Sequence, residues 1–151
     1  SFLPDQVKEC FVKLSEVGIK LGFHAHNNLS LAVANSLIAI QHGASIIDAT
    51  VNGFGAGAGN TPLEIMTIIN SPSNMNVMDH IEKLEYKSPS IKLINILTAK
   101  NKLHSVFEKE ILYSANKYNI KIPNLVKELG NRKLVAGQED LVRVIASQMA
   151  E

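Results

Sequence analysis

Two short runs of strand character, Ile19 to His26 (IKLGFHAH) and Ala44 to Val51 (ASIIDATV), are separated by one apolar helical stretch that ends at Gly43. Strands joined through a helix of about ten residues pair in parallel, with a right-handed crossover, because a hairpin leaves no room for the helix. A helix is also predicted on either side. Asp5 to Val17 follows Pro4 and carries Val7, Cys10, Phe11, Leu14 and Val17 at helical spacing until Gly18, and a second helix starts at Thr61 with Pro62 at its first position. Between the strands, Asn27 to Ser30 reads as a turn whose Ser30 is expected to cap the helix that runs to about His42, where Gly43 fills the C′ position. In such βαβ units chemistry sits at the C-terminal ends of the strands.

Asn70 to Asn76 breaks this pattern, and a short helix is expected over Asp79 to Leu84. Beyond Ser88 the chain becomes strand-poor, with Lys, Leu and Ile at helical spacing, and two further helices are expected over Asn124 to Leu129 and Gln138 to Met149. The boundary lies between 72 and 90, giving an α/β part over 1–78 and a helical domain over 79–151. Two strands cannot bury both faces and both edges of a parallel sheet. A complete (β/α)₈ barrel needs about 250 residues, so the α/β part reads as a portion of one, or alternatively as a small α+β domain. The chain opens on Ser1 rather than methionine, consistent with a piece of something longer.

Composition narrows the partners. Fifteen Lys and Arg against fourteen Asp and Glu leave a net charge of +1, so no broad field gathers nucleic acid or a membrane surface. The single cysteine, Cys10, excludes an internal disulfide and a CxxC site, pointing to a reducing compartment. No apolar run approaches the roughly 20 residues of a membrane span.

The strongest chemical signal is His24-Ala25-His26 at the end of the first strand. Side chains two apart on a strand share a face, so two imidazoles there can converge on one divalent ion; the alternative is one core and one solvated histidine. The second signal is the run Gly53 to Asn60 (GFGAGAGN) at the end of the next strand. Its glycines precede the helix start instead of opening the helix, which argues against a dinucleotide fingerprint and for close backbone approach, with Asn60 delivering a side-chain oxygen. Asp48, inside an apolar strand, is either a structural acceptor or a partner for a histidine. His42 and His80 read as structural or solvated, and His104 as a surface residue or a proton donor on a long helix.

Three stretches together, Gly22 to Ser36 (GFHAHNNLSLAVANS), Gly43-Ala44 with Ile47-Asp48-Ala49, and Gly53 to Asn60 with Pro62-Leu63-Glu64, closely resemble the 4-hydroxy-2-oxovalerate aldolases. That family belongs to the metal-dependent pyruvate-lyase superfamily of barrels, which also holds isopropylmalate synthase and hydroxymethylglutaryl-CoA lyase. Lys117-Tyr118-Asn119, Glu128-Leu129-Gly130, Arg132-Lys133 and Val135 to Asp140 resemble the helical C-terminal domain of the same aldolases.

The resemblance implies a partial (β/α)₈ barrel, about strands 6 to 8, followed by a helical partner-docking domain. It implies a divalent cation, Mn²⁺ or else Mg²⁺ or Co²⁺, held by His24 and His26 with an aspartate from the first barrel strand, and Asn60 at the metal or its surrounding shell. His104 stands where the family has a catalytic tyrosine. The implied reaction is reversible aldol cleavage of a 4-hydroxy-2-oxoacid to pyruvate and a small aldehyde, in aromatic hydrocarbon catabolism in the cytoplasm, with an acylating acetaldehyde dehydrogenase as partner and no nucleic acid or membrane. This stretch by itself is expected to be nearly inactive. The alternatives are a non-catalytic interaction module derived from the aldolase and an acyl-CoA-using synthase of the same superfamily.

Overall fold

Pro4, whose fixed φ suits a first helical position, begins α1 (Pro4–Leu14), and the Gln6 side chain accepts a hydrogen bond from the Leu3 amide at 2.9 Å. A 3₁₀ turn over Ser15–Val17 and Gly18, at φ 71°, end it. In this computed structural model, which describes residues 1–70, 76–84 and 86–150, the chain then runs through β1 (Leu21–His24), α2 (Ala32–Gln41), β2 (Ala44–Asp48), α3 (Leu63–Asn70) and α4 (Asn76–Ile81). Most of the expected break over 70–76 lies outside the described residues.

β1 and β2 pair in parallel, with Gly22 opposite Ile46, Phe23 opposite Ile47 and His24 opposite Asp48. Both are shorter than the sequence suggests, because their continuations pair elsewhere. His26 bridges Asn60 in antiparallel sense, and Thr50 bridges Pro62 in parallel sense. The glycine-rich segment is thereby stitched to the C-terminal ends of both strands.

Alternation along the strands gives the sheet two unlike faces. On one, Leu21, Phe23 and Ile47 pack with Val7 and Phe11 of α1 and with Ile38 and Ala39 of α2; the rings of Phe11 and Phe23 meet edge-on at 5.8 Å. The other carries Gly22, His24, Ile46 and Asp48, all exposed, Ile46 to 58%. The capping expectation for α2 needs correction. Ser30 adopts φ 58° and makes no cap; Asn27 accepts the Ala32 amide through Oδ1 at 3.2 Å. The asparagine reaches the first turn from the far side of the bend that Ser30 creates.

The chain divides into two compact units, Ser1–Ser90 and Ile91–Glu151, so α4 belongs with the α/β part. The second unit holds α5 (Leu93–Lys100), α6 (Glu108–Lys117), α7 (Ile122–Asn131) and α8 (Asp140–Ala150). Its core is Phe107, Ile111, Leu125, Val126, Leu129, Val142, Ile145 and their neighbours. The long helix expected to carry His104 is two helices. The chain leaves α5 at Asn101, whose amide group bonds back to the Leu97 carbonyl at 2.8 Å, and Lys102 takes φ 58°. Glu108 then ties the two together by accepting from Asn95 and Thr98, at 2.8 and 3.1 Å. No described helix is long and apolar enough to cross a membrane.

Candidate metal centre

His24 ends β1 and His26 lies two residues on, so both imidazoles leave the same side of the chain. Their ring centroids are 5.0 Å apart with planes at 80°. His24 is exposed and His26 half-buried. The strand register sets Asp48 opposite His24, and the Asp48 Oδ2 lies 2.9 Å from His24 Nδ1. Of the two readings left open for Asp48, the structure selects the histidine partner. A pocket of about 200 Å³ opens beside the two rings, lined also by Phe2, Phe23 and Asn35.

The glycine run closes over this end of the sheet. Asn27 donates its amide to the Gly59 carbonyl at 2.7 Å, and Asn60 donates its own to Gly53 at 2.9 Å. Gly57 and Gly59 have φ of 66° and 89°, a region that costs an L side chain about 1–2 kcal/mol. Each also lies too close to a neighbour for a Cβ: at Gly57 it would sit 2.5 Å from Asn28 Oδ1, and at Gly59 it would overlap the Gly53 carbonyl oxygen. Asn28, only 4% exposed, accepts the Ala58 amide through that same Oδ1 at 2.8 Å. It is the clamp of the loop, a role that residue type alone does not declare in the turn over Asn27 to Ser30. Its signal was the second asparagine of Asn27-Asn28, directly after a strand that faces a glycine run.

Asn60 reaches His26 through the main-chain bridge, while its side chain lies over Gly55 and donates from Nδ2 to the Phe54 carbonyl at 3.0 Å. Its Oδ1 is buried and accepts no hydrogen bond from the described residues. A buried amide oxygen in that state is costly and therefore suited to a cation, a water or a donor on a ligand. Among the described residues no cluster of three or more His, Cys, Asp or Glu side chains could hold a metal. The histidine pair, with ring centroids 5.0 Å apart, and the buried Asn60 oxygen, whose main chain is bridged to His26, are donor types that a divalent cation accepts.

His104 belongs to the second unit. It is exposed, at the head of a 3₁₀ turn over Ser105–Phe107, and its Nδ1 accepts the Val106 amide at 3.1 Å. When neutral, the ring therefore carries its proton on Nε2.

The HMGL-like family profile matches residues 2–89, and a DmpG-like communication domain matches residues 102–151. A 4-hydroxy-2-oxovalerate aldolase of Pectobacterium atrosepticum is 38% identical over 163 aligned positions, covering 100% of this chain and 48% of that protein. One of Burkholderia pseudomallei is 42% identical, covering 87% of this chain and 41% of that protein. Among solved structures, the N-terminal domain of a Bacteroides vulgatus protein assigned as an aldolase superposes with a TM-score of 0.61 at 29% identity, over 74% of this chain and 41% of that one. The chain spans about half the length of the curated relatives it matches. The residues that carry the resemblance, from the histidine pair to the glycine run, lie inside the first match, and the chain belongs to the HMGL-like family.

Proposed function

We propose that this chain forms the metal-binding end of an aldolase that cleaves 4-hydroxy-2-oxoacids, such as 4-hydroxy-2-oxovalerate, to pyruvate and a small aldehyde. The observation that carries the reading is the juxtaposition at the end of β1: two imidazoles 5.0 Å apart, one held by Asp48, beside a loop whose Asn60 is bridged to His26. Similarity to proteins named for that activity supports it. In this reading β1 and β2 take the sixth and seventh places of a (β/α)₈ barrel. The uncovered sheet face, with Ile46 exposed beside Gly22 and His24, would be its interior.

His24, His26 and Asn60 would hold the ion, with Mn²⁺ as the preferred choice. Bound there, a divalent cation supplies Lewis-acid polarisation of the 2-oxo group, typically worth several kcal/mol. The chain's own residues do the remaining work. Asp48 orients the His24 ring, the clamp between Asn28 and Ala58 holds the glycine loop against the strand ends, and Asn60 presents an oxygen that accepts no hydrogen bond from the described residues. His104, whose Nδ1 accepts the Val106 amide, is assigned the proton-transfer role that the resemblance gives to a tyrosine. The second unit, matching the communication domain, is assigned to docking an acylating aldehyde dehydrogenase. The cytoplasm, where Cys10 stays reduced, is the assigned compartment.

Calorimetric titration with Mn²⁺, with and without oxalate as a mimic of the pyruvate enolate, tests this on the chain. Two imidazoles and one amide oxygen bring no anionic ligand to the ion, so binding weaker than micromolar is expected. Oxalate should tighten it, and His24→Ala or His26→Ala should abolish it. Coupled assay of pyruvate release from 4-hydroxy-2-oxovalerate should show little turnover by the chain on its own. Mn²⁺ binding that survives both substitutions contradicts the proposal.

A further inference from the structure

We infer that Asp48 is a positioning residue for the metal centre, its carboxylate holding His24 in the tautomer that makes Nε2 the ligating nitrogen. The inference rests on the reading of His24 and His26 as metal ligands. The parallel register places the two residues opposite one another, and the contact is 2.9 Å between Nδ1 and Oδ2. An ionised carboxylate can only accept, so Nδ1 must carry the hydrogen. A neutral imidazole protonated on Nδ1 keeps its lone pair on Nε2.

Asp48 has no evident architectural task. It is exposed at the last position of β2, on the sheet face away from α1 and α2, and among the described residues its side chain makes no other hydrogen bond. Its exposed position also explains why Asp48 is tolerated at the end of an apolar strand, since the carboxylate is never taken out of water.

The test combines a metal-free and a metal-dependent readout on the 151-residue chain. Long-range ¹H–¹⁵N spectra of histidine-labelled protein are recorded without metal, at a pH well above the unperturbed imidazole value of about 6.5, and Mn²⁺ affinity is measured by the free-ion electron spin resonance signal. In the parent, His24 should show Nδ1 protonated. In Asp48→Ala the ring should shift toward the Nε2–H form, and Mn²⁺ binding should weaken by roughly 10- to 100-fold. Asp48→Asn, whose amide oxygen still accepts, should keep the tautomer and lose less affinity. An unchanged tautomer in Asp48→Ala, or affinity within about twofold of the parent, overturns the inference. Parent-like affinity in His24→Ala and His26→Ala instead overturns the metal-centre reading itself, and is recognised because the tautomer comparison needs no ion.

Discussion

Replacing Gly59 by alanine probes the device that holds the glycine loop on the strand ends. Gly59 sits at φ 89°, and an added Cβ would overlap the carbonyl oxygen of Gly53, a main-chain atom that cannot swing aside. That carbonyl accepts the Asn60 amide at 2.9 Å, next to the bridge between Asn60 and His26. The conformational strain costs about 1–2 kcal/mol. Displacing the carbonyl weakens a hydrogen bond worth about 0.5–1.5 kcal/mol, so the total is on the order of 2–3 kcal/mol. Gly18 is the internal reference: its φ is 71° and nothing lies within 4 Å of the added Cβ, so alanine there meets the strain alone. Urea unfolding of the two variants, followed by the amide shifts of Asn27 and Asn60, separates the contributions. Gly59→Ala should be more destabilising than Gly18→Ala by about 1 kcal/mol and should move both amide signals. Equal losses for the two variants, with the Asn60 signal unmoved, would refute the close-approach argument.

The second unit yields two further predictions. Leu125, fully buried among Phe107, Ile111 and Leu129, should cost about 2–5 kcal/mol when cut to alanine, read from urea unfolding; a loss below about 1 kcal/mol would contradict the assigned core. Glu110 is bonded by Arg143 at 2.9 Å through Nη2 and also through Nε, and this pairing holds the Glu110 carboxyl below its ordinary value of 4.5. A depressed folded-state value stabilises above the unfolded value and is lost as pH falls through the folded one. Glu110→Gln should therefore lower Tm at neutral pH and have a vanishing effect in strong acid, and a difference that persists unchanged in acid would contradict the pairing.

Much of the site was legible because it follows from local rules. A period of two places His24 and His26 on one side of a strand, and a strand–helix–strand order puts them where a loop begins. The glycines announced close approach, yet their spacing alone did not say to what. The partners proved to be Asn28, the Gly53 carbonyl and the Asn60 side chain, atoms brought near by the pairing of strand ends and not by sequence proximity. The cap of α2 failed for a related reason. Ser30 and Asn27 are both competent cap residues, and only the bend at Ser30 decides that Asn27 faces the helix. The break between α5 and α6 depends on Asn95 and Thr98 reaching Glu108 across a turn, which helical periodicity alone does not reveal.

A single cation shared by His24 and His26, as proposed, has a direct spectroscopic signature. Electron spin-echo modulation of the chain at saturating Mn²⁺, with histidine labelled in ¹⁵N, counts the imidazole nitrogens on the ion. Two are expected in the parent and fewer in His24→Ala and in His26→Ala; no imidazole coupling in the parent, or couplings that both variants retain, would contradict a shared ion.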